Sequence, residues 1–209
     1  MNVLVLGASG GTATWVVKDA LAAGHAVTAF MRRQWSDFEH AGDCRIVLGD
    51  VSQPKAVETA VLGQDAVFWC VGPREGDESS RLCSVGTTNL LWAMQRAGNR
   101  RLICESAFGV GDSRWGGPYA SLMRALFGPR VLDMERQEEA IRGSGMDWVI
   151  VRPTILTNGP RTLKYRFGTN LHLGFFPRVS RADVAHFMMR QLVDPAFVHE
   201  AVAVTGRRP

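Results

Sequence analysis

The sequence predicts an α/β domain with a doubly wound parallel sheet. Strand-length apolar runs alternate with helix-patterned stretches from Asn2 to Val151. A glycine-rich turn, Gly7-Ala8-Ser9-Gly10-Gly11-Thr12, joins the first strand to the first helix. A later run, Asp65 to Val71, is apolar and unbroken, as a central strand covered on both faces requires.

The elements follow in order. Asn2 to Leu6 is the first strand. Trp15, Val16, Val17, Ala20 and Leu21 give the next stretch a helical apolar face, and Gly24 ends it. Ala26 to Phe30 and Arg45 to Leu48 read as the second and third strands. Pro54 to Leu62 suits a short helix, with proline tolerated near its first turn. Ser80 to Ala97 is a helix stopped by Gly98, and Arg101 to Cys104 starts a fifth strand. Irregular sequence from Ala107 to Pro118 leads into a helical stretch broken at Gly128-Pro129. Asp147 to Val151 is a sixth strand that stops at Pro153. From Thr157 to Pro177 short strands and loops are expected. Ser180 is then the N-cap of a last helix reaching about Val193, with Asp183 near its free N–H groups, and Ala201 to Val204 is a final strand. The expectation is one domain over 1–209: a cofactor-binding core over 1–153, and a substrate-side cap with the last helix over 154–209.

A chain of 209 residues, 46% hydrophobic, can bury one sizeable core. No apolar run is long enough to cross a bilayer, and the first strand lacks the basic start of a signal peptide, so a cytoplasmic location is expected. Cys44, Cys70, Cys83 and Cys104 show no metal-type spacing, so no metal is expected; Cys70 and Cys104 read as buried, reduced thiols. A net charge of +4 suits an anionic ligand, and no basic block points to nucleic acid.

Ligands of such sheets bind beyond the carboxyl ends of the strands, where the strand order reverses. The residues after each strand are therefore the candidates. After the first strand, Gly7 permits a sharp exit and Gly10 lets the backbone approach a pyrophosphate. Ser9, Gly11 and Thr12 surround the helix N-terminus, and Ala13 permits close helix–strand packing. After the second come Arg32 and Arg33, where an NAD site would typically place an acid; an arginine pair suits a 2′-phosphate, or else is a solvated surface pair. After the third comes Asp50-Val51, either an acceptor for the adenine amine with an apolar ring contact or a cap for the helix at Pro54. After the fourth come Val71, Gly72 and Arg74; Gly72 keeps the backbone near the cofactor, and Arg74 reaches either an anion or a loop salt bridge. After the fifth come Ser106 and Phe108. Ser106 either donates to a substrate beside the nicotinamide or bonds its own loop, and Phe108 either stacks on a flat substrate or seals the core.

Taken in order, Gly7–Thr12, Arg32, Gly49-Asp50-Val51, Gly63-Gln64-Asp65-Ala66-Val67, Ser106-Ala107-Phe108, Ser144-Gly145 with Arg152-Pro153, and Ser180–Ala185 resemble the atypical short-chain dehydrogenase/reductases. Within these the chain is most similar to the NmrA-like NAD(P)H-binding group and the biliverdin-IXβ (flavin) reductases. The resemblance implies a Rossmann fold, NADP(H), and hydride transfer to flavins or similar flat conjugated acceptors. It implies cofactor contacts from Gly7, Gly10, Thr12, Arg32, Asp50, Val51 and Gly72, and a substrate-facing, catalytic Ser106. Phe108, Tyr119, Pro153 and Tyr165 are the candidate acceptor contacts.

Two departures stand out. The Tyr-x-x-x-Lys pair of ordinary short-chain dehydrogenases is missing: Met123 follows Tyr119, and Thr169 follows Tyr165. The flavin and biliverdin reductases carry a histidine after the proline of the sixth strand; here the segment is Pro153-Thr154-Ile155-Leu156. His172 lies elsewhere, and His186 reads as a satisfied helix histidine. Tyr165, Phe167, Phe175 and Phe176, interleaved with Arg161, Lys164 and Arg166, form either a pocket for a flat anion or a solvated cap. Two classes of function remain: a reductase acting on a small flat conjugated substrate such as a flavin, and a non-catalytic NADP(H) sensor. A monomer or weak homo-oligomer is expected in either case.

Overall fold

Val3, Leu4, Val5 and Leu6 are fully buried, because the strand that carries them is flanked on both edges and covered on both faces. In the computed structural model, which describes residues 1–34, 44–72, 81–171, 173 and 176–207, this strand is β1 (Asn2–Leu6). It is followed by α1 (Gly11–Ala22), β2 (Ala26–Met31), β3 (Cys44–Leu48), α2 (Pro54–Val61), β4 (Ala66–Trp69), α3 (Leu82–Ala97) and β5 (Arg101–Glu105). Then come α4 (Pro118–Arg142), β6 (Asp147–Pro153), β7 (Ile155–Thr157), β8 (Tyr165–Gly168), β9 (Arg178–Ser180), α5 (Arg181–Arg190) and β10 (Glu200–Gly206).

The large sheet has the order β3-β2-β1-β4-β5-β6-β10-β8. Every pairing in it is parallel except β8 with β10. This is the expected doubly wound sheet. The pleat of β1 divides its side chains between two cores. Val3 and Val5 pack with Val17 of α1 and Phe187 of α5. Leu4 and Leu6 pack with Trp69, Leu90 of α3 and Trp148. The strand order reverses between β1 and β4, so a crevice opens at their carboxyl ends.

Several local signals act as expected. Gly98 takes a left-handed conformation (φ 76°) at the end of α3. Ser180 caps α5 by accepting from the Asp183 N–H at 3.1 Å. The break near Gly128-Pro129 is a kink: Phe127 leaves helical geometry (φ −127°, ψ 27°), and the helix resumes to Arg142. The last strand runs longer than its apolar run, from Glu200 to Gly206, and lies beside β6 in the large sheet. β7 and β9 form a separate parallel pair, and Arg161 ties the loop that follows β7 to Asp19 of α1 at 2.6 Å.

Candidate functional site

The glycine turn is built by backbone geometry. Gly7 has φ +77°, and a Cβ there would lie 2.8 Å from the Cys70 carbonyl oxygen, so only glycine fits. The N–H groups of Gly7 and Ala8 both donate to the Phe30 carbonyl, at 3.0 and 3.1 Å, which fastens the turn to the end of β2. Thr14 N–H to Gly10 O, at 2.9 Å, opens the helical bonding of α1. The N–H groups of Gly11, Thr12 and Ala13 precede it and lack intrahelical acceptors. They stand at the positive end of the helix dipole, ready for an anion.

A cavity of about 170 Å³ opens over this turn. Gly7, Ser9, Gly10, Arg32, Asp50, Val51, Val71 and Gly72 all line it. Candidates from the ends of four strands therefore meet in one place. A Cβ on Gly72 would touch none of the described residues within 4 Å, so that glycine leaves room beside the cavity. Asp50 is not the cap of α2, which is Gln53; its Oδ1 accepts from the N–H and hydroxyl of Ser52 at 2.9 and 2.8 Å. Arg33 is exposed and does not line the cavity. Arg74 and Phe175 lie outside the described residues, as does His172. Phe30, Met31, Gly49, Cys70 and Leu82 complete the wall, with no more sequence signal than apolar or small character.

A larger cavity, about 620 Å³, lies at the ends of β5 and β6. Its walls include Ser106, Phe108, Tyr119 and Pro153, four of the expected substrate-side residues, with Leu122, Met123 and Leu126 from α4. The rings of Phe108 and Tyr119 stack with centroids 6.1 Å apart. Burial pushes the Tyr119 hydroxyl up to about 12, and Met123, one turn on, replaces the lysine that would lower it.

Tyr165 is a correction. It is buried in the core between β8 and α5, against Phe167 and Phe187, and its hydroxyl bonds His186 Nδ1 at 2.7 Å. His186 is thereby satisfied. Among the described residues the aromatic–basic segment forms no single pocket: Phe167 packs on Phe187 and Phe197, Arg161 pairs with Asp19, and Phe176 lines the large cavity.

Ser106 neither faces the substrate freely nor bonds its own loop through its hydroxyl. That hydroxyl donates to Glu138 Oε1 at 2.6 Å. Glu138 is also gripped by Arg152, whose Nε lies 2.9 Å from the same oxygen and whose Nη2 pairs with the other. Arg152 Nη1 pairs in turn with Asp112. Burial disfavours the Arg152 charge, but Glu138 and Asp112 outweigh it, and the guanidinium is held above its ordinary range. Asp112 is held below the usual carboxylate range by Arg152 and Arg142, against some burial. A second acid, Glu105, ends β5 and accepts from the Thr12 hydroxyl at 2.9 Å. Burial pushes its carboxyl up to about 7, against the Thr12 hydrogen bond and the nearby Arg181 charge. Sequence reasoning does not single out Glu105 or Glu138, and it gives Arg152 only as part of the Arg152-Pro153 motif; their one further signal is a charge in an apolar strand or on the inward face of a helix.

A family model described as NAD(P)H-binding matches residues 7–195. The chain belongs to the NAD(P)H-binding family. The glycine turn and the lining of the first cavity lie within the matched residues, and the match agrees with the short-chain dehydrogenase/reductase resemblance. This NAD(P)H-binding chain is 32% identical over 216 residues to sterol demethylase protein B of Methylococcus capsulatus, covering 94% of the chain and 61% of that protein. It is 31% identical over 172 residues to an uncharacterised chloroplastic protein of Arabidopsis thaliana, covering 77% of the chain and 61% of the relative. The chain thus spans about three fifths of the length of these curated relatives. Among solved structures, ChuY, an anaerobillin reductase from Escherichia coli O157:H7, superposes with a TM-score of 0.86 at 22% identity, covering 100% of both chains. A Veillonella parvula short-chain dehydrogenase/reductase in complex with NADP superposes with a TM-score of 0.79 at 21% identity, covering 99% of this chain and 94% of the other. Both share the Rossmann fold.

Proposed function

We propose that this protein is an NADPH-dependent reductase that passes hydride to a flat conjugated acceptor, such as a flavin or quinone. The observation that carries this reading is the apolar cavity at the ends of β5 and β6, walled by the stacked Phe108 and Tyr119. It lies at the carboxyl ends of the same sheet as the NAD(P)H site. NADPH supplies two electrons as hydride when bound. The chain's own residues hold and orient. The N–H groups of α1 take the diphosphate, Arg32 the 2′-phosphate, Asp50 and Val51 the adenine end, and Val71 and Gly72 the ribose side. The acceptor packs on Phe108 and Pro153, and the residues after Pro153 cover its outer side.

The chemistry fits the missing tyrosine–lysine pair. A flavin or quinone spreads the incoming charge over its rings and takes its second proton from water. A simple carbonyl would need a positioned donor. Tyr119, with its raised pKa, is a poor proton source, and the Ser106 proton is committed to Glu138. The name of one structural neighbour, an anaerobillin reductase, agrees with a reductase. The test is NADPH oxidation, followed at its absorbance band, against a panel of flavins, quinones and linear tetrapyrroles. Turnover of at least one acceptor supports the reading. NADPH binding with no turnover across the panel favours the second reading, a non-catalytic NADP(H) sensor, which the committed Ser106 hydroxyl also supports.

A further inference from the structure

We propose that Glu105 is a proton-accepting group of the cofactor site: when the diphosphate of NADP(H) lands on the N-terminus of α1, this carboxylate takes up a proton. The inference rests on NAD(P)H binding alone and not on any reductase activity.

Glu105 is joined directly to α1, its Oε1 accepting from Thr12 Oγ1 at 2.9 Å, and Thr12 is the second residue of that helix. Arg181, the first residue of α5, lies over the same helix end: a Cβ on Gly11 would meet its Cδ at 2.7 Å and its Nε at 2.8 Å. Arg181 also donates to Asn158 Oδ1 at 2.6 Å, which holds it across the turn. One carboxylate, one guanidinium and three N–H groups without intrahelical acceptors thus share the end of α1 that receives the cofactor.

The charged form of Glu105 is supported by only two of these, the Thr12 hydroxyl and the positive field of Arg181. Burial opposes it, and the balance leaves the carboxyl near neutrality, at about 7. Among the described residues, the other titratable groups against it are the thiols of Cys70, just past β4, and Cys104 in β5. Burial, reinforced by Glu105 at Cys70 and chiefly by Glu138 at Cys104, raises both well above their ordinary value, so they stay neutral and leave the balance to Thr12 and Arg181. A diphosphate brings two negative charges to the same helix end, one side chain from Glu105. It competes for Arg181 and for the helix field, and a like charge disfavours the second anion. Protonation relieves the conflict. The proton comes from solvent and stays on the carboxyl while the cofactor is bound.

The experiment is calorimetric titration of the full chain with NADPH, and separately with NADH, in two buffers of different ionisation enthalpy between about pH 6.5 and 8.5. At pH 8 the 2′-phosphate, with a second pKa of about 6, is already dianionic and contributes little. Binding should take up a large fraction of one proton near pH 8 with both cofactors, and Kd should rise by up to about tenfold per pH unit above that. Glu105→Gln should abolish the uptake and flatten the pH dependence. Thr12→Val, a milder change, should shift the uptake window to higher pH, because it removes a hydrogen bond that favours the charged form. Zero uptake across this range in the unsubstituted protein overturns the proposal, as does uptake that persists in Glu105→Gln. The measurement needs no acceptor, so proton uptake is read equally well from a protein that reduces nothing in the panel.

Discussion

The Ser106 hydroxyl lies 2.6 Å from Glu138 Oε1 and gives its only proton to it. Arg152 pairs with both oxygens of that carboxylate. Ser106 therefore presents lone pairs to the acceptor cavity. Ser106→Ala should slow flavin or quinone reduction by less than about tenfold. Loss of a true oxyanion donor would cost about 10² or more. Steady-state rates with a saturating acceptor measure this; a loss of a hundredfold or more would return Ser106 to the role of donor.

Breaking the buried pair should show in stability. Glu138→Gln leaves Arg152 charged among buried neighbours and should cost about 3–5 kcal/mol. Glu138→Leu combined with Arg152→Met should recover much of that loss, because two apolar side chains leave no unpaired charge there. Urea unfolding of the three proteins gives the comparison.

The two glycines on either side of the crevice should separate folding from binding. Gly7→Ala forces a Cβ against the Cys70 carbonyl at positive φ and should destabilise the fold by about 1–3 kcal/mol. Gly72→Val adds a Cβ that meets none of the described residues within 4 Å and fills space beside the cofactor cavity. It should leave urea stability intact and weaken NADPH by at least roughly tenfold. Denaturation and fluorescence titration of both variants test the contrast.

Arg32 lines the cofactor cavity and Arg33 does not. Arg32→Ala should weaken NADPH by about 10- to 100-fold, the range of a lost charge-assisted contact, and leave NADH nearly unchanged. Arg33→Ala should change neither by much. Equal losses for both cofactors in Arg32→Ala would remove the 2′-phosphate assignment.

Glu105 should also mark the pH dependence of the free protein. Its folded value, about 7, lies above the ordinary 4.5, so folding favours the protonated carboxyl. That stabilisation is complete below about pH 4.5 and is lost as pH rises through about 7. It amounts to roughly 3 kcal/mol. Glu105→Gln should be markedly flatter between pH 5 and 8, measured as the urea midpoint without cofactor.

Turns and helix ends were legible because their signals are local: the φ of Gly98 and the Ser180 cap act within a turn of themselves, and the glycines of Gly7 to Thr12 mark a tight exit from β1 by residue type alone. The acceptor side is assembled at a distance. Glu138 meets Ser106 across 32 positions, and Glu105 meets Thr12 across 93. Periodicity marks which residues face inward, yet it does not pair the few charges among them. Tyr165 misled for a related reason. A tyrosine among basic residues suits a binding surface, but its neighbours in space are Phe187 and His186, from a helix that begins sixteen residues later.

The place of β10 has a consequence for how the molecule is made. It pairs with β6, and Ala203 belongs to the same small cluster as Phe108 and Tyr119. Synthesis proceeds from β1 onward, so the crevice between β1 and β4 can be complete on the ribosome while β6 still has an open edge. The chamber at the ends of β5 and β6 gains its last wall residues, Phe176 and Arg181, only after β6 is made, and β10 then closes the edge of β6. The dinucleotide half of the site is thus born first, and the half that would choose an acceptor matures last.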